Sequence, residues 1–262
     1  MSVESSVQTT SGTAEFDVAN KVVLLTGASS GLGAHFARRL RAADADVYAA
    51  ARRSDRLEAL ADEVGVHPLV CDVSDAEACR DLVASVYRKA GRIDILINNA
   101  GYGGAVPAEE QSADDFMRML SVNLVAPFVL SQQLVVQAPA ELNEVSIINI
   151  ASILGLVGVG RVSSAAYAAS KGGIVNLTRE LAAQWARRGV RVNAIAPGWF
   201  ESEATEELFA SDAGRQWLRR STPLGRGGAE NELDGALLFL ASSASSFMTG
   251  QVLVVDGGWT AV

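Results

Sequence analysis

Within the stretch "SAAYAASKGG" (Ser164 to Gly173), a phenol, Tyr167, and an ammonium, Lys171, interrupt a run of small residues four positions apart. On a helix, residues at that spacing project from one face a turn apart. A free phenol has a pKa near 10 and is a poor base at neutral pH. An ammonium about 4 Å away, at an effective dielectric of 20, would favour the phenolate by about 4 kcal/mol. That figure is an upper bound, because burial opposes the charged form. A hydroxyl tuned in this way can act as acid or base on an oxygen undergoing reaction. Ser152, directly after the apolar run "VSIINIA", would add a hydrogen bond where negative charge develops. Taken alone, the pair is better explained by a surface tyrosine beside a snorkelling lysine. The neighbouring motifs decide between the two.

One such motif is "TGASSGLG", Thr26 to Gly33. Glycines at 27, 31 and 33 let the backbone turn tightly, and Ser29, Ser30 and Leu32 lie between them. A following helix N-terminus would offer free N–H groups and a favourable dipole to a pyrophosphate. The spacing is G-x-x-x-G-x-G, and no lysine follows as it would in a nucleoside-triphosphate loop. An NAD site usually carries an acid about 20 residues beyond the glycines, to accept the ribose hydroxyls. Here the chain reads "AAARRSDR": no carboxylate ends the strand, and Arg52 follows it immediately. A guanidinium there suits a 2′-phosphate. NADP(H) is the expected cofactor, with NAD(H) as the second choice.

These residues need elements to position them. The chain has 262 residues, 49% of them hydrophobic, enough for a large core. Seven short apolar runs ("KVVLLTG", "DVYAAA", "VHPLV", "IDILIN", "VSIINIA", "VRVNAIA" and "QVLVVDG") alternate with helical segments. Alternation of this kind implies βαβ units, a parallel sheet and right-handed crossovers. The expected fold is α/β: a Rossmann-like, doubly wound, parallel seven-stranded sheet with helices on both faces. A helix over "SDRLEALADEV" would be opened by Ser54 as its N-cap. Residues 1–17 read as a disordered polar arm, and 18–262 as a single dinucleotide-binding and catalytic domain.

The net charge of −8 and a pI near 4.9 argue against nucleic acid or an anionic membrane as a partner. No apolar run approaches a membrane span by eye, and the polar start lacks the pattern of a secretion signal. A cytoplasmic location is expected. Cys71 and Cys79 read as reduced thiols in or near the core. With His35 and His67 isolated, no metal site is expected.

With these blocks in order, the chain resembles the short-chain dehydrogenase/reductases of the classical type. "TGASSGLG", "NNAG" (Asn98 to Gly101), Asn123 in "SVNL", Ser152, "YAASK", "PGW" and "GQVLVVDGG" carry the likeness from about Lys21 to Trp259. The resemblance implies that Tyr167 is the general acid or base on a ketone or secondary alcohol. It implies that Lys171 binds the nicotinamide ribose and lowers the tyrosine pKa, and that Ser152 holds the substrate oxygen. Asn123 would hold a water relaying protons to Lys171. Asn99, Ala100 and Gly101 would support the adenosine side, and Asp72 with Val73 would meet the adenine. Pro197, Gly198, Phe200 and Ser202 would lie along the nicotinamide. Many NADP-preferring members have a basic residue where this chain has Ser30, which leaves Arg52 as the main determinant. The interval from Ser152 to Tyr167 is longer than is common in the family and brings Ser163 or Ser164 near the site.

Substrate walls are expected from "GYGGAVP", from Ile153 to Ser164, and from a mobile lid at about 199–228, rich in Trp and Phe. A 3-oxoacyl-thioester reductase, acting on carrier protein or CoA, is the alternative activity. An acidic carrier needs basic residues at the entrance, yet no Lys or Arg occurs from Met119 through Gly160. Arg187 and Arg188 remain as possible contacts on the next helix. A small ketone or secondary alcohol ranks above it. A dinucleotide-sensing scaffold is the non-enzyme alternative; such a protein would be expected to lose Ser, Tyr or Lys, and this chain keeps all three. The Ala-rich helix around Tyr167 and the last strand suggest a homotetramer, with a dimer second.

Overall fold

A computed structural model describes residues 14–138, 144–160, 164–203 and 205–262. Most of the expected arm, residues 1–13, lies outside the described residues, as does Ser163. Ala14–Phe16 form a 3-10 turn, and Phe16 packs on Phe239 with ring centroids 6.3 Å apart.

Strands β1 (Val22–Thr26), β2 (Asp46–Ala51), β3 (His67–Val70), β4 (Ile95–Asn98), β5 (Val145–Ile150), β6 (Val190–Pro197) and β7 (Val252–Val255) make one sheet, ordered β3-β2-β1-β4-β5-β6-β7. Every adjacent pair is parallel. The central strands are buried on both faces, which is why they read as continuous apolar runs rather than alternating ones. Successive residues of β1 turn to opposite layers. Val23 and Leu25 join α1 (Gly31–Arg41), α2 (Ser54–Val64) and α9 (Asp234–Ala241). Val22 and Leu24 join α3 (Ala76–Ala90), α5 (Ala126–Gln137) and the later turns of α6 (Ala165–Trp185). Fully buried side chains such as Leu24, Leu25, Ile97 and Ile147 each stabilise the fold by about 2 kcal/mol.

Three local details shape the site. Asp75 caps α3, its carboxylate accepting from the Glu77 and Ala78 amides. Ser54 is the first residue inside α2 and not its cap; Arg53 occupies the cap position and makes no side-chain cap bond. Finally, α4 (Ala113–Leu120) runs into α5 through a π-helical turn, Ser121–Val125. By length and composition this continuous rod, Ala113–Gln137, could cross a membrane, contrary to the expectation that no apolar run approaches such a span. Half of its apolar window is buried within the protein, as in a core helix.

The strand order reverses between β1 and β4. In open parallel sheets the crevice at that reversal, beyond the carboxyl ends of the strands, is where ligands bind. Thr26, Asn98, Ile150 and Pro197 end their strands along this edge.

Candidate active site

Strand β5 ends two residues before Ser152, and the first turns of α6 carry Tyr167 and Lys171. The start of α6 is fixed from outside by Gln111, whose side-chain oxygen accepts the Ala166 amide at 3.2 Å. A 3-10 turn, Ile153–Gly155, lies flat on the helix. A Cβ on Gly155 would sit 2.5 Å from the Lys171 backbone carbonyl carbon and oxygen, so only glycine permits this approach. The Ser152 hydroxyl accepts the Leu154 amide at 3.2 Å and lies close enough to the Tyr167 phenol to act on its acidity. Lys171 is 5% exposed. Its Nζ donates to the Ile150 carbonyl at 2.7 Å and lies over the Tyr167 ring, 5.6 Å from its centroid.

These contacts correct one expectation. Burial pushes the Tyr167 phenol above its ordinary pKa, and the Ser152 hydroxyl only partly opposes this. Burial also pulls Lys171 down to about 8. The ammonium spends a hydrogen bond on Ile150 and faces the ring, so in this geometry desolvation outweighs any cationic help to the phenolate. The phenol is held protonated at neutral pH.

Asn123 sits in the π-helical turn and is 1% exposed. Its Nδ2 donates to the Tyr102 carbonyl (2.9 Å) and to the Ser170 hydroxyl (3.1 Å), and its Oδ1 accepts the Tyr102 amide (3.1 Å). Ser170 in turn donates to the Tyr167 carbonyl. One extra residue in the helical register thus lets Asn123 tie the loop after β4 to α6. The loop passes close over the site. A Cβ on Gly101 would be 3.1 Å from Asn123 Oδ1 and 3.6 Å from Lys171 Nζ, and one on Gly103 would be 3.4 Å from the Tyr167 ring. Val106 bridges to Ser164, joining two of the expected substrate walls.

The glycine turn is stapled to β4. Thr26 Oγ1 accepts the Asn99 and Ala100 amides, both at 3.1 Å, while Asn99 Nδ2 donates to the Thr26 carbonyl at 3.0 Å and the Gly27 carbonyl at 3.3 Å. Gly27 has φ +69°, and a Cβ there would strike Ala100 at 2.8 Å. A Cβ on Gly33 would overlap the Gly27 carbonyl oxygen, so strand and helix meet backbone to backbone. Around Gly31, by contrast, a Cβ would come within 4 Å of Ser202 alone, and the Ser30 side chain at the N-cap accepts no backbone amide of α1. That open, uncapped cradle above a helix N-terminus fits a dinucleotide pyrophosphate.

The other expected contacts divide. Arg52 is exposed and makes no hydrogen bond or ion pair among the described residues; its charge helps hold the Asp72 carboxyl below its usual range, after the larger effect of the Ser74 amide. Arg53, not singled out from the sequence, folds back over the turn, donating from Nε to Ser29 (3.2 Å) and from Nη2 to Ser30 (2.6 Å). It brings a cation to the place where the family often has a basic residue and this chain has Ser30. Val73 and Phe200 face inward, packed in the cores on either side of the sheet, so their backbones alone remain for a ligand. Gly198 bonds the Val255 carbonyl at 2.9 Å, which fixes the segment from Pro197 to Ser202. Trp199 packs edge-to-face on Trp217 (5.1 Å) and Trp259 (6.2 Å). Thr26 and Ser170 also escaped the sequence reading. The hydroxyl directly before Gly27 was the available signal for Thr26; Ser170 had none.

Comparison with known proteins gives consistent matches. The family described as enoyl-(acyl carrier protein) reductase matches residues 27–260. Gluconate 5-dehydrogenase of Gluconobacter oxydans is 40% identical over 94% of this chain and 96% of that protein. The 3-oxoacyl-[acyl-carrier-protein] reductase of Thermotoga maritima is 36% identical over 91% of this chain and 97% of that one. A crystal structure of a gluconate 5-dehydrogenase from Burkholderia cenocepacia, in complex with NADP and tartrate, superposes with a TM-score of 0.87. It has 35% identity and covers 95% of this chain and 98% of that one.

Proposed function

We propose Tyr167 as the general acid and base of this chain, which belongs to the short-chain dehydrogenase/reductase family and is an NADP(H)-dependent oxidoreductase acting on CH–OH groups. The observation that carries the proposal is the convergence of the half-buried Tyr167 phenol, the Ser152 hydroxyl and the buried Lys171 ammonium at the crevice beyond β5. Bound NADP(H) supplies the hydride donor or acceptor. The chain's own groups do the rest. Ser152 holds the substrate oxygen, and Tyr167, protonated at neutral pH, gives its proton to that oxygen in reduction and takes it back in oxidation. Lys171 orients the nicotinamide ribose, and Asn123 fixes the loop that closes the site and anchors a proton relay. Gly27, Ser29, Ser30, Gly31, Leu32 and Gly33 receive the pyrophosphate; Arg52 receives the 2′-phosphate.

The substrate is a small ketone or secondary alcohol, and polyhydroxy acids come first, given the 40% identity to a gluconate 5-dehydrogenase. A 3-oxoacyl thioester is the second reading, favoured by the 36% identity to the Thermotoga maritima reductase. Against a carrier-bound chain, Arg188 is already committed to the Val135 carbonyl at 3.0 Å. The segment from 199 to 228 is assigned as the lid, the assembly as a homotetramer and the location as cytoplasmic. Exposed Val125 at the end of the π-helical turn, Phe128 and Val136 on α5, and Val254 on the edge strand β7 support the oligomer.

The test is Tyr167→Phe. NADPH fluorescence titration is expected to give an unchanged Kd, while NADPH oxidation on gluconate-type and 3-oxoacyl-thioester panels falls by roughly 10²–10⁴-fold. Retained turnover would overturn the assignment, and NADPH binding without turnover by the unmodified protein on any panel would favour a sensor.

A further inference from the structure

Two guanidinium groups beyond β2 converge on one carboxylate from the far side of the sheet. Arg53 Nη1 lies 3.4 Å from each oxygen of Glu203, and Arg56 Nη1 bonds Glu203 Oε1 directly. The same Arg53 holds the hydroxyls of Ser29 and Ser30. Glu203 follows β6, 150 positions from Arg53 in sequence, so the contact joins the glycine turn, the start of α2 and the segment after Pro197. Arg56 first, then Arg53 and Ser30, hold the Glu203 carboxyl below its usual range. Two guanidinium groups and two hydroxyls form a donor set suited to a phosphate, which accepts several charge-assisted hydrogen bonds at once. Here a carboxylate of the chain itself takes that position. All three ionic side chains are about half exposed, so each pair is weak and readily exchanged.

We propose that Glu203 is a cofactor-selectivity residue: an internal anion that neutralises Arg53 and Arg56 and competes with the 2′-phosphate of NADP(H) for them. The inference rests on the dinucleotide-binding reading of the glycine turn. NAD(H) has no 2′-phosphate and leaves the three-way contact in place. NADP(H) must displace or share it. Glu203 therefore narrows the preference for NADP(H) that Arg53 and Arg56 would otherwise add to the hold of Arg52 on the 2′-phosphate.

Binding, separate from turnover, tests this. NADPH and NADH are titrated by fluorescence, and 2′,5′-ADP and 5′-AMP by calorimetry, with the native protein and Glu203→Gln. Loss of one half-exposed carboxylate is expected to tighten NADPH and 2′,5′-ADP by roughly three- to fivefold while NADH and 5′-AMP stay within about twofold. In an Arg53→Ala/Arg56→Ala background the same substitution is expected to change nothing, because the partners it competes for are gone. Equal tightening of NADH and NADPH, or no change in either, overturns the proposal. Failure of the native protein to bind either dinucleotide overturns the underlying reading instead.

Discussion

Lys171 carries its charge into a place where water does not follow, and that has a measurable cost. Its ordinary pKa of 10.5 is lowered by burial to about 8. The unfolded chain therefore binds the proton more tightly than the folded one, so between about pH 8 and 10.5 stability rises as pH rises. Below pH 8 the full penalty of about 3 kcal/mol is present. Lys171→Met escapes this penalty but leaves the Ile150 carbonyl without its donor, a loss that does not depend on pH. In thermal melts, the Tm of the variant relative to the native protein is expected to be highest near pH 7 and to decline towards pH 10; a difference independent of pH would contradict the charged state assigned to Lys171. At this scale the sequence was a good guide to which residues meet in the crevice, because Tyr167, Lys171 and Ser152 are marked by chemical type against a bland background. It was a poor guide to direction and reach. Whether an ammonium or desolvation dominates a phenol depends on orientation, and which of two adjacent arginines folds back over Ser29 and Ser30 depends on side-chain path.

Between elements, the most exacting contact is the Ile153–Gly155 turn against α6. Gly155→Ala would place a methyl 2.5 Å from the Lys171 backbone, so the turn must lift and carry Ser152 with it. A displacement near 1 Å at a reacting centre can cost about 100-fold. The expected outcome is a fall in kcat of that order with the NADPH Kd preserved, since the glycine turn is held separately by Thr26 and Asn99. Steady-state kinetics beside a fluorescence titration checks the split. All seven strands were legible as apolar runs, and α6 as a small-residue helix. The π-helical turn at Asn123 was not, because a single inserted residue leaves no periodic trace within an apolar rod. The inward orientation of Val73 and Phe200 was equally invisible, since a motif position does not reveal which side of the backbone faces the ligand.

Across the whole molecule, the apolar side chains left in solvent include Phe128 and Val136 on α5 and Val254 on β7, surfaces that a second copy would cover in the proposed oligomer. Charge placed at Phe128, which is 37% exposed, should break such a contact without touching the catalytic crevice. Light scattering coupled to gel filtration is expected to show a tetramer for the native chain and a smaller species for Phe128→Glu; a native monomer would refute the oligomer. The parallel sheet could be read from the alternation of runs, whereas the joining of remote segments, such as Glu203 to Arg53 or Trp259 to Trp199, carries no local signature. That last stack has a practical side. Trp199 leads directly into the stretch proposed to lie beside the coenzyme, and the ring leaning on it belongs to the 3-10 turn Trp259–Ala261. A disturbance of that turn would therefore reach the proposed coenzyme pocket from behind.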